Sequence, residues 1–108
     1  MSMTLYVSTL ARYNAWATQR LLNAIAPLGD DDYRRDMGLF FRSIHGTLNH
    51  LLVAEQLLWF RRFAEGVSPT LALDDEAEPD RTRLAERLLE GAARWQPLIE
   101  SWPAERFD

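Results

Sequence analysis

The sequence predicts an all-α protein, an up-and-down four-helix bundle with three long helices in this chain. Three observations predict it. Apolar residues recur at helical spacing along three long stretches, no run alternates as a half-buried strand does, and Gly or Pro stands at the boundaries between the stretches.

The first helix is expected from about Thr4 to Ala26. Leu10, Ala17, Leu21 and Leu28 form one line on it, with Val7, Ala11, Thr18 and Ile25 beside them. Pro27 and Gly29 end it, and a loop from Gly29 to Asp32 follows. The second helix is expected from about Phe40 to Ala64, stopping at Gly66 with Pro69 just beyond. Ser68 to Pro79 is acidic, holds two prolines and reads as a connection. The third helix starts near Asp80. Leu84, Leu88, Gly91, Trp95, Leu98 and Trp102 follow at alternating gaps of four and three, the seam of a helix packed lengthwise on others. Pro97 is expected to kink or end that helix, because it removes a backbone donor and clashes with the preceding turn.

All of residues 1–108 are read as a single domain. The second helix is apolar over more than half of its circumference, more than two neighbours cover. The domain is therefore expected to be incomplete at its carboxyl end, with the fourth helix missing or supplied by another subunit.

Composition narrows the function classes. A net charge of −4 without a basic stripe speaks against nucleic acid as a partner. All 12 basic residues are arginine, so no lysine can form a Schiff base. No cysteine is present, which removes thiolate chemistry and disulfides and suits a cytoplasmic protein. No secretory signal and no apolar stretch of the ~18 residues needed to span a membrane can be read.

The candidate chemistry centres on His50. With about 100° of rotation per residue, Leu39, Ser43, Thr47, Ala54 and Leu57 fall within about 60° of it. Arg42, His45, Asn49 and Gln56 cluster on the opposite arc. His50 is thus expected to point into the bundle and His45, about 140° away, toward water. A core histidine satisfied by a hydroxyl or carbonyl is one reading of His50, and a metal ligand is the other. A divalent ion needs three or four ligands, so one imidazole does not suffice. Ser43, Thr47 and Asn14 are candidate pocket-lining residues. Asn14 lies among apolar residues of the first helix, where an amide needs a partner. Either it bonds a neighbouring helix or it orients a ligand. Glu55 is expected at the edge of the apolar sector, paired with an arginine such as Arg62. Trp16 and Trp59 lie away from the core arcs, as flank packing or as anchors of a homodimer contact.

Tyr13-Asn14-Ala15-Trp16-Ala17, followed by the run from Phe40 through His45, Gly46 and His50 to Glu55, resembles the DinB/YfiT-like family of four-helix-bundle metalloenzymes. The resemblance runs from about Leu5 to Arg62 and continues more loosely through the third helix. It implies a divalent metal, nickel or zinc, held by three histidines, with His50 in the ligand position of the second helix. The other two would come from a histidine pair near the start of the last helix. That pair is absent here, because His45 and His50 are the only histidines, so the implied site is incomplete. Glu55 stands where relatives often carry Asp. The resemblance also implies a small-molecule substrate, a possible low-molecular-weight thiol cofactor of the mycothiol or bacillithiol kind, and homodimers. Two functional readings follow: a metal-dependent enzyme of the thiol-transferase type, and a noncatalytic helical dimerisation module.

Overall fold

The ends of the helices follow from their capping residues. In the computed structural model, which describes residues 2–70 and 72–107, the Ser2 hydroxyl accepts from the Leu5 N–H at 3.0 Å and opens α1, Met3–Ile25. Asp80 does the same for α5, Arg81–Glu100, accepting from the Arg83 N–H at 2.7 Å. Pro97 does not end α5, which continues past it to Glu100. It falls in the last turn, where only the three residues to Glu100 remain to be held beyond it, and the Ser101 N–H still reaches the Pro97 carbonyl at 3.1 Å. A 3₁₀ turn, Ala104–Phe107, follows.

A short helix α2, Asp30–Arg34, occupies part of the stretch read as loop. Its three leading aspartates suit the positive end of a helix, and it buries Tyr33.

The middle rod differs most from its predicted form. It begins at Ile44 and not at Phe40, because Ser43 caps it: its hydroxyl accepts from the Gly46 N–H at 2.9 Å. Residues 37–42 instead fold into a tight turn with Arg42 at φ 73°, and Phe40 is 91% exposed. The rod then runs as α3, Ile44–Leu51, a π-helical segment, Leu52–Phe60, and α4, Arg61–Glu65. Gly66 closes it at φ 70°, a left-handed conformation that glycine adopts without the steric penalty of a Cβ.

Three long rods therefore make an all-α bundle, as the periodicity predicts. α1 packs along α5, α5 packs along the π segment and α3, and α2 lies on α3. Leu22, Tyr33, Leu48, Leu52, Leu84 and Leu88 form the core. Arg81 ties three elements together. Its guanidinium donates to the Ile25 and Leu28 carbonyls at 2.9 Å each, satisfying the open end of α1, and lies 4.0 Å over the Tyr33 ring. One flank remains uncovered, with Met3, Leu10 and Leu21 of α1 and Leu51 of α3 all exposed. Among the described residues no helix is long and apolar enough to cross a membrane.

Candidate functional site

His45, expected toward water, is buried, and His50, expected in the bundle interior, is half-buried at the edge of the bundle, under the loops. The core-facing arc of the middle rod carries His45, Leu48, Asn49, Leu52 and Gln56, all buried. Its apolar residues extend so far round the axis that polarity alone pointed to the wrong arc. The polar members of the true arc are, with one exception, satisfied by protein partners from other segments.

Both nitrogens of His45 are committed. Nδ1 lies 2.7 Å from the Tyr33 hydroxyl, and Nε2 lies 2.9 Å from a Glu76 carboxylate oxygen. A carboxylate only accepts, so Nε2 carries the proton and Nδ1 accepts from Tyr33. Burial pushes the Tyr33 hydroxyl above its usual pKa, with the Arg81 and Arg34 guanidiniums opposing that rise. Asn49 continues the cluster. Its Oδ1 accepts from the Glu78 N–H at 2.8 Å and its Nδ2 donates to the Glu78 carbonyl at 3.1 Å. Arg87 holds the Glu78 carboxylate at 3.2 Å. Together these bonds fix the connection before α5 against the bundle.

His50 is held differently. Its ring stacks on Phe41, with centroids 3.9 Å apart and planes 15° from parallel. Nδ1 lies 3.1 Å from the Leu73 carbonyl. A carbonyl can only accept, so Nδ1 carries the proton and the Nε2 lone pair remains available. Phe41 and Leu73 also line an open cleft of about 580 Å³. Gly46 allows the chain at Phe41 to approach α3, because a Cβ there would overlap the Phe41 carbonyl oxygen. The Phe41 ring over His50 follows that segment.

Of the other residues singled out by sequence, Ser43 is the helix cap, and its carbonyl accepts from the Thr47 hydroxyl at 2.9 Å. Both therefore make local helix bonds, and Ser43 borders the loop side near His45. Asn14 bonds across the bundle: its amide donates to Glu55 at 2.8 Å. Glu55 thus pairs with an amide and not with an arginine, and Arg62 lies instead over the Trp59 ring at 4.7 Å. Burial raises the Glu55 pKa, and hydrogen bonds from Asn14 and Trp95 offset part of the rise. Asn14 and Glu55 line an open, largely apolar cleft of about 300 Å³ between α1, the middle rod and α5.

Tyr33, Asn49, Glu76 and Glu78 were missed in the sequence because their partners lie far along the chain. The one local signal was polar residues at positions 45, 49 and 56, spaced four and seven apart on one helix face.

A resident divalent metal does not fit the residues present as a complete centre. Among the described residues no group of three His, Cys, Asp or Glu side chains is arranged to hold an ion, and His45 has no lone pair to offer. His50 alone fits as a donor.

The sequence model of the DinB family matches residues 1–108. Neither the curated proteins nor the solved structures give a significant match.

Proposed function

The chain belongs to the DinB family, and from that premise we propose that it is the bundle scaffold of a metal-dependent protein to which His50 contributes one ligand. The observation that carries this reading is the His50 ring itself. It is clamped by Phe41, oriented by the Leu73 carbonyl through Nδ1, and its Nε2 has no partner among the described residues. A backbone carbonyl on the far nitrogen is the usual device for aiming a metal-binding imidazole. The remaining donors come from outside the described residues, a second subunit included, and nickel or zinc suits an imidazole-based set. The cleft beside Phe41 and Leu73 is the place for a small-molecule substrate, and a low-molecular-weight thiol is the cofactor class that family resemblance favours. Metal content measured on the purified protein and on His50→Ala tests the reading. Loss of metal in the variant supports it, and equal occupancy in both overturns it.

A second reading has its own observation. The exposed Met3, Leu10, Leu21 and Leu51 form an apolar flank suited to a homodimer contact, as a noncatalytic dimerisation module would use it. Sedimentation separates the cases: a monomer at all concentrations removes the dimer.

A further inference from the structure

The exception on the core-facing arc is Gln56. It is 6% exposed, and neither its Oε1 nor its Nε2 has a hydrogen-bond partner among the described residues. Buried amides are almost always satisfied, so an orphan of this kind needs a reason. The carboxamide lies flat against Gly91 of α5, where any Cβ would overlap it. That notch is the floor of a groove of about 260 Å³ between the middle rod and α5.

The groove walls carry Arg61, Arg83, Arg87 and Arg94 together with Glu65 and Glu90. Three of the arginines already hold carboxylates: Arg61 with Glu65 at 2.8 Å, Arg83 with Glu86 at 3.2 Å and Arg87 with Glu78 at 3.2 Å. Arg94 holds none among the described residues. Its guanidinium carbon lies 4.0 Å from the centre of the Phe60 ring, and its N–H donors have no hydrogen-bond partner among the described residues.

We propose that this groove binds a small hydroxylated anion, its carboxylate or phosphate on Arg94 and its hydroxyl on the Gln56 carboxamide. A hydroxyl both donates and accepts, so it matches the two orphan atoms together, whereas a bare anion satisfies only Nε2. The terminal amide torsion of glutamine is broad, so the side chain reaches the ligand by turning on the side-chain-free surface of Gly91. The planar guanidinium of Arg94 suits a carboxylate or phosphate held by two parallel bonds. This site shares no residue with His50 and stands whether or not that histidine binds a metal.

Four probes test the proposal on the whole chain: glycerate, glycerol 3-phosphate, acetate and glycerol, followed by NMR of the Gln56 side-chain amide and the Arg94 Nε–H. The two hydroxylated anions are expected to shift both signals saturably, acetate more weakly, and glycerol not at all. Preference for glycerate identifies a carboxylate ligand and preference for glycerol 3-phosphate a phosphate ester, and each supports the site. Arg94→Gln should weaken binding about tenfold, the worth of a charge-assisted bond. Gln56→Met, similar in size and apolar, should keep the fold and reduce glycerate to the affinity of acetate. Three results overturn the proposal: no saturable shift at Gln56 and Arg94, equal shifts at the remote Arg20, or a Gln56→Met protein that binds glycerate as before.

Discussion

Replacing Asn49 by aspartate changes one NH₂ group to an oxygen and tests whether this side chain holds the segment before α5. Asn49 is 1% exposed. Its Oδ1 accepts from the Glu78 N–H at 2.8 Å, and an introduced carboxylate preserves that bond. Its Nδ2 donates to the Glu78 carbonyl at 3.1 Å and to the His45 carbonyl at 3.2 Å, and those bonds are lost. A lost hydrogen bond costs about 1 kcal/mol, and a buried carbonyl left without a donor about 1–3 kcal/mol more. The expected loss at pH 7 is therefore about 2–4 kcal/mol. Burial and the facing carbonyls raise the pKa of the introduced carboxyl in the folded state above its unfolded value. The folded state then binds more protons across that window, so the defect grows as pH rises through it and shrinks below the ordinary aspartate value, where the protonated form again has a donor. Urea unfolding of both proteins, followed by tryptophan fluorescence at pH 7 and near pH 4, measures the difference. A loss below about 0.5 kcal/mol at pH 7, or an equal loss at both pH values, would mean that the Asn49 amide does not hold this segment.

Further outcomes follow from the same contacts. Tyr33→Phe removes the hydroxyl that satisfies buried His45 Nδ1 and should cost about 1–3 kcal/mol by denaturant unfolding. Glu55 has a raised folded pKa, so the folded state holds its proton to higher pH than the unfolded chain, and this group lowers stability as pH climbs from the ordinary glutamate value through the raised one. Glu55→Gln should abolish that decline, as a pH series of melting temperatures would show. Gly91→Ala drives a methyl group into the Gln56 carboxamide and should cost about 1–3 kcal/mol. Gln56→Ala in the same chain should recover much of that loss, a coupling that a double-mutant cycle measures.

The rods were legible because their signals are local: the apolar seam of α5, Asp80 before it, and Gly66 after the middle rod. The start of the middle rod was not, since Phe40 and Phe41 extend the apolar pattern past Ser43, and only the cap geometry shows where the helix begins. His50 was legible as a residue of interest through its motif, but its orientation was not. Apolar side chains cover most of that rod, so a helical wheel offers two candidate inner faces. The choice between them was made by Tyr33, Glu76 and Glu78, which satisfy His45 and Asn49 from segments remote in sequence. The rod also passes from α to π winding at Leu52, so angles counted at 3.6 residues per turn drift beyond that point. The Asn14–Glu55 bond was half legible: an amide among apolar residues demands a partner, but the sequence does not say which.

The central contrast is between an imidazole with a lone pair to give and one with none, and the chain holds only these two histidines. Adding Ni²⁺ stepwise while following both imidazole Hε1 NMR signals tests it directly, with His45→Gln and His50→Gln assigning the peaks. The His50 signal should broaden first while that of His45 stays sharp. Broadening of His45 ahead of His50, or of neither, would contradict the account.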